Sequence, residues 1–183
     1  MFHLDELQGY CSGEAAIIIC GGVGAVSEIH RADWEGAHLV SVNQHGMIIP
    51  DLSFAYAHDS QMTKHLIEFG VPVPVISYHR EFLREGDIHA GICPLVKLSG
   101  PEALWCCDWM EFSEIWVVGV DGYKHEKRDY WHQYQDEAQQ KQTLKKKHNM
   151  DDFTRWAQII DKLKHPSRVR AFHPKIQELL REA

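Results

Sequence analysis

Short apolar runs alternate with amphipathic stretches along most of the chain. EAAIIIC (residues 14–20) is an apolar run of strand length, as a buried strand requires, and AVSEIHRADW (25–34) after it reads as a helix. HLVSVN (38–43) predicts a second strand and DLSFAYAH (51–58) a third, after the turn at Pro50. SQMTKHLIEFG (60–70) spaces Met62, Leu66 and Phe69 along one helical face, and Gly70 suits the left-handed residue that ends a helix. VPVPVISY (71–78) is a strand interrupted by prolines, which cannot donate to a ladder, so it belongs near a sheet edge.

The second half repeats the alternation. PEALWCCDWMEF (101–112) predicts a helix with Pro101 at its first position, and EIWVVGVDGY (114–123) is the strongest buried strand of the chain. A polar, lysine-rich stretch follows, to about residue 148. DDFTRWAQIIDKLK (151–164) then gathers Phe153, Trp156, Ile159, Ile160 and Leu163 on one side of a helix. RVRAFH (168–173) is a short strand, and PKIQELLREA (174–183) a last helix begun by Pro174. Strands separated regularly by helices imply an α/β fold, a mostly parallel sheet with helices on both faces. At 183 residues the expectation is a single domain over 1–183, with no internal repeat and no low-complexity segment.

Composition narrows the function. Hydrophobic residues at 44% and charged residues at 25% are those of a globular protein. No apolar run approaches the ~20 residues that span a bilayer. The opening MFHLDELQGY is acidic and polar, so neither signal peptide nor membrane anchor is expected, and cytoplasm is the expected location. Five cysteines, with no Cys-x-x-Cys pair, point to buried free thiols and not to a disulfide framework or a zinc site. The net charge of −7 hides a gradient: residues 1–60 hold one basic residue, Arg31, and eight acids. Residues 121–183 hold fourteen basic residues and ten acids, with Lys145, Lys146 and Lys147 consecutive. A basic C-terminal third can face an anionic ligand, while the overall acidity argues against duplex DNA as a partner.

Candidate chemistry starts at the glycines. In a parallel sheet, ligands sit beyond the carboxyl ends of the strands. Gly21, Gly22 and Gly24 fall at such an end, where amides bared by glycine and the start of the next helix suit an anion. GGVGAVS lacks the Gly-Lys-Ser/Thr of a P-loop, and Ser27 stands where a dinucleotide turn would have its third glycine. The second strand ends in Asn43 and Gln44, amides and not the acid that holds the ribose of NAD. Both fingerprints fail, leaving a mononucleotide phosphate or a structural turn. No metal is expected: there is no Asp-x-Asp and no His-x-x-x-His, and His58 with Asp59 and Asp121 with His125 come nearest.

The order of these motifs resembles the bacterial sialyltransferases of glycosyltransferase family 42. It also resembles the related core of motility-associated flagellin glycosyltransferases and archaeal hydroxymethylpterin diphosphokinases. The features, spread from Ile17 to Pro174, are the glycine turn, a strand ending Asn-Gln, Leu98-Ser99-Gly100 before a helix, EIWVVGVDGY, and a polar stretch with tyrosines and a histidine before an amphipathic helix. The resemblance implies one Rossmann-like domain that binds a nucleotide sugar as substrate, with no cofactor and no metal. It would set Gly21, Gly22 and Gly24 at the nucleotide phosphate, Asn43 and Gln44 facing the nucleotide and the transferred group, and Ser99, Gly100, Gly119, Asp121 and Gly122 at the nucleoside. Tyr130 and Tyr134 would bind the leaving phosphate and His148 would be the general base, a role that a neutral-range pKa suits. The chain departs from the family's Gly-Asn-Gly-Pro-Ser turn, with Gly22 or Val23 where the asparagine would stand.

Three functions follow from these residues. The first is a metal-independent glycosyltransferase-like enzyme using a nucleotide-activated sugar, a CMP-sugar among the candidates. The second is a diphosphokinase-like phosphotransferase, which needs magnesium and convergence of Asp59 with Asp121. The third is a nucleotide-binding or partner-binding module without turnover. Trp131 marks a candidate contact surface for a homo-oligomer.

Overall fold

The computed structural model describes residues 1–22, 24–32, 35–47, 49–120 and 152–183. The expected functional residues Asp121, Gly122, Tyr130, Tyr134 and His148, with Trp131, lie outside them. Among the described residues eight strands form one sheet: β1 (Phe2–His3), β2 (Ala15–Ile19), β3 (His38–Val42), β4 (Phe54–Tyr56), β5 (Val75–Ser77), β6 (Ile88–His89), β7 (Glu114–Val118) and β8 (Val169–Ala171). Their order is β1-β6-β5-β4-β3-β2-β7-β8 and every pairing is parallel. The α-helices among the described residues are α1 (Ala25–Ile29), α2 (Ser60–Phe69), α3 (Ser99–Trp109), α4 (Asp152–Ile160) and α5 (Pro174–Glu182).

Strand alternation decides which helix covers which face. On β2, Ala16 and Ile18 join the large core with Ala103, Leu104 and Cys107 of α3, Trp156 and Ile159 of α4 and Ile176 of α5. Ile17 and Ile19 turn the other way, towards Ile29 of α1 and Ala32. Phe54 and Tyr56 of β4 face the first core, and Ala55 faces Leu66 and Met62 of α2. Helices therefore cover both faces: α1 and α2 on one, α3, α4 and α5 on the other. This is the α/β, Rossmann-like sheet that the pattern implied. None of the helices among the described residues is long and apolar enough to cross a membrane.

Three local expectations change. Strand β5 is not at an edge, since β6 and then β1 lie outside it. Its prolines, Pro72 and Pro74, precede the paired residues, and the Pro74 carbonyl still accepts from the amide of Ala55 at 3.1 Å. Helix α3 starts two residues before Pro101, which is third in the helix but still in the first turn, where a missing N–H breaks no intrahelical bond. Helix α1 is a five-residue stub. Gly70 ends α2 in the left-handed conformation (φ 77°), as expected.

Candidate functional site

The carboxyl ends of the strands bring together residues that are far apart in sequence. Beyond β2 lie Gly21, Gly22 and Gly24; beyond β3, Asn43 and Gln44; beyond β4, His58; beyond β7, Gly119. Helix α3 runs back from this edge with Ser99 and Gly100 in its first turn. Every expected site residue within the described range is thus on one edge of the sheet.

The glycine turn sits where the chain reverses its course across the sheet, between β2 and β7, the kind of point at which open α/β sheets bind ligands. One of its amides, and the amide of Gly119 that faces it from the end of β7, are engaged within the protein. The N–H of Gly22 donates to the Gly119 carbonyl at 2.7 Å, and the N–H of Gly119 donates to Glu28 Oε2 at 2.7 Å. Gly119 has φ 72°, and a Cβ there would stand 2.6 Å from the Cys20 carbonyl oxygen and 2.8 Å from Ala25 Cβ. Gly119 is a glycine because β2 and β7 close over it. Gly100 is also a packing glycine, with Cys20 Sγ and Trp156 Cζ2 each 3.1 Å from where a Cβ would be.

A second group is built from side chains. Asn43 leaves β3 with φ 58°, a left-handed conformation that asparagine tolerates. Its Oδ1 accepts from Ser99 Oγ at 3.0 Å, which ties the end of β3 to the start of α3 and leaves the amide NH2 of Asn43 as a donor. Ser99 Oγ in turn accepts from the amide of His58 at 3.3 Å. The His58 ring donates from Nδ1 to Glu102 Oε2 at 2.8 Å, and its carbonyl faces His79 Nε2 at 3.0 Å.

Glu102 organises this group. It is the fourth residue of α3, is wholly buried, and accepts four hydrogen bonds. Tyr56 OH (2.9 Å) and His58 share Oε2, while the amides of Val96 and Lys97, both at 2.8 Å, share Oε1. A buried carboxylate persists only with such partners. It fixes the loop that enters α3, where Lys97 has φ 59° and its carbonyl accepts from Arg155 of α4 at 2.8 Å. The hydrogen bond to Glu102 raises the His58 pKa above 6.5; burial opposes it, the Glu102 and Asp59 charges add to it, and Lys97 lowers it.

His58 entered the sequence reading only beside Asp59, as a near approach to a metal pair, and Glu102 and Arg155 did not enter it. The available signal was Glu102 itself, an acid alone in an apolar run, PEALWCC, where a charge requires partners. The convergence of Asp59 with Asp121 required of a phosphotransferase involves a residue outside the described range. Among the described residues no group of three or more His, Cys, Asp or Glu side chains is arranged to hold a metal ion.

No family model matches the chain, and no curated protein matches it by sequence. Among solved structures it is similar to the sialyltransferase CstII from Campylobacter jejuni, studied in complex with a substrate analogue, cytidine-5'-monophosphate. The TM-score is 0.56 at 12% identity, over 89% of this chain and 81% of that one. The likeness is one of fold.

Proposed function

We propose that the carboxyl edge of the sheet binds a nucleotide-activated sugar and that the protein is a metal-independent, glycosyltransferase-like enzyme. The observation that supports this most is the Ser99–Asn43 hydrogen bond. It joins the two elements that the family resemblance assigns to the nucleotide, in a fold similar to that of a protein studied with cytidine monophosphate. In this reading His148 takes the acceptor hydroxyl proton, and the sugar's bond to the phosphate breaks as its bond to the acceptor forms. Tyr130 and Tyr134, with backbone amides, stabilise the departing phosphate in place of a metal.

The test is a thermal-shift panel of CMP, UMP, GMP, AMP, their sugar conjugates and NAD, with and without EDTA. Binding at a hundredfold excess over Kd adds about 2.7 kcal/mol of apparent stability. The expected result is a shift selective for one mononucleotide and its sugar conjugate, indifferent to EDTA, and lost in Ser99→Ala and Asn43→Ala. Transfer or hydrolysis of that conjugate should be lost in His148→Ala. No shift with any ligand would overturn the proposal.

One observation favours a second reading, a nucleotide-binding module without turnover. The amides of Gly22 and Gly119 are already engaged, and the Glu28 carboxylate lies at the turn where a departing phosphate would need donors. Binding by calorimetry with no product from any sugar conjugate would decide for it.

A further inference from the structure

His58 has no part in the reading above, yet it is held on three sides. Its amide is bonded to Ser99, its carbonyl to His79 and its Nδ1 to Glu102. The ring stands edge-on to Tyr78, with centroids 5.9 Å apart. One ring atom, Nε2, is left over. Among the described residues it has no hydrogen-bond partner, and it is not among the buried polar atoms without one. The His58 side chain keeps 19% of its surface accessible while that of Glu102 has none. A buried carboxylate holds one side of the imidazole, and the opposite ring nitrogen, Nε2, stays accessible on a residue whose backbone amide is bonded to Ser99 of the Asn43–Ser99 pair.

We propose that His58 Nε2 is the protonated contact for an anionic oxygen, phosphate or carboxylate, of the ligand bound at this edge. The inference rests on the reading of that edge as a ligand site, and adds to it the residue that carries the positive charge. The charged and titratable groups that face His58 are Glu102 from α3, Asp59 at the start of α2, Lys97 from the loop entering α3, and Tyr78 and His79 after β5. The carboxylates favour the imidazolium, and Glu102, having no exposed surface, cannot turn to meet the ligand itself. The donor role therefore falls to histidine: the anion meets a charge-assisted N–H and not the carboxylate behind it.

The test follows the His58 ring signals by NMR, assigned by their loss in His58→Asn, as pH is varied with CMP, inorganic phosphate or acetate as probe. With CMP bound, the His58 signals should move and its pKa should rise. CMP affinity of the wild type relative to His58→Asn should fall about tenfold per pH unit above the His58 pKa. The phosphate's own second ionisation, near pH ~6, acts on both proteins alike. Glu102→Gln should move the fall to lower pH. Movement of His58 with acetate alone would assign the contact to a carboxylate, and movement with phosphate and CMP to a phosphate. If CMP binds while His58 stays still and His58→Asn keeps the same pH profile, the inference falls and the proposed function stands. If no nucleotide binds but phosphate or acetate moves His58, the inference stands and the proposed function falls. If nothing moves His58, the inference is overturned.

Discussion

Glu102 is the residue on which the site and the stability of the fold depend together, and its replacement gives the sharpest prediction. Glu102→Ala leaves the Val96 amide, the Lys97 amide, Tyr56 OH and His58 Nδ1 without their acceptor. Two of these, at Val96 and Tyr56, are buried, and each orphaned buried donor costs about 1–3 kcal/mol. The other two turn in part to water. The expected loss is thus about 4 kcal/mol, and at roughly 2–4 °C per kcal/mol for a chain of this size the melting temperature falls by about 8–16 °C. Glu102→Gln keeps an oxygen for the two amides and puts an NH2 group against Tyr56 and a neutral His58. Its cost is nearer 1–2 kcal/mol, or about 2–8 °C.

The pH dependence separates the charge from the packing. His58 has its pKa raised in the folded state by Glu102, so its contribution is fully present below the unfolded value of 6.5 and is lost as pH rises through the folded value. The gap in melting temperature between wild type and Glu102→Gln should be widest near pH ~5.5 and narrow towards pH ~9. Thermal unfolding followed by circular dichroism across that range measures both quantities. A Glu102→Ala variant that melts within about 3 °C of wild type, or a gap that is flat with pH, would refute the assignment of Glu102 as the acceptor that holds the loop and His58.

Three further outcomes are expected. Gly119→Ala, with a backbone at φ 72° and a Cβ 2.6 Å from a carbonyl oxygen, should cost at least about 2 kcal/mol in urea unfolding, whereas Gly13→Ala, with φ 90° and open space, should cost only the conformational part, about 1 kcal/mol. All five cysteines are buried, burial pushes the Cys11 thiol up to about 12, and Cys106 and Cys107 are pushed up in the same way. The native protein should therefore release no thiol rapidly to a disulfide reagent near pH ~8 and all of them in denaturant; one fast thiol in the native state would contradict this packing. Asp108, 3% exposed, accepts from the amides of Lys164 at 2.6 Å and His165 at 3.1 Å, joining α3 to the chain after α4. Asp108→Ala should cost about 2–4 kcal/mol and Asp108→Asn, which keeps one oxygen, about half of that, as read by urea unfolding.

How far the fold was legible follows from element length. β2 is a run of five apolar residues and β7 has four after Glu114, runs that hardly admit another reading, and α2 and α4 carry a helical stripe. β1 and β6 have two residues each, Phe2–His3 and Ile88–His89, too few to show alternation, and they are strands only because they pair with each other beside β5. The prolines misplaced β5 because the penalty of a proline falls on its own missing N–H; Pro72 and Pro74 precede the strand's first residue, Val75, and the Pro74 carbonyl still accepts from β4. The glycines, Asn43 and Ser99 were legible as edge residues because they sit at the ends of recognisable elements. His58 and Glu102 were not, since their partnership depends on how β4 and α3 approach each other, which no local pattern encodes.

The hydrogen bonds of the glycine turn bear on how the edge would hold a ligand. With Gly22 bonded to Gly119 and Gly119 to Glu28, the turn locks β2 against β7 at the reversal of the sheet. A phosphate placed there would compete with a carboxylate for the Gly119 N–H, and the helix behind it, five residues long, adds little dipole. The donors on the β3–β4 side are of another kind: the Asn43 amide, the first turn of the eleven-residue α3 and the His58 imidazole, with Arg155 bonded to the Lys97 carbonyl beside them. If the edge takes an anion, these groups meet it without displacing a bond that the fold already makes. Two substitutions separate the sides. Glu28→Gln should strengthen nucleotide binding if the phosphate lies at the turn and leave it unchanged if it lies at His58, while His58→Asn should weaken binding only in the second case. Calorimetry with CMP reads both.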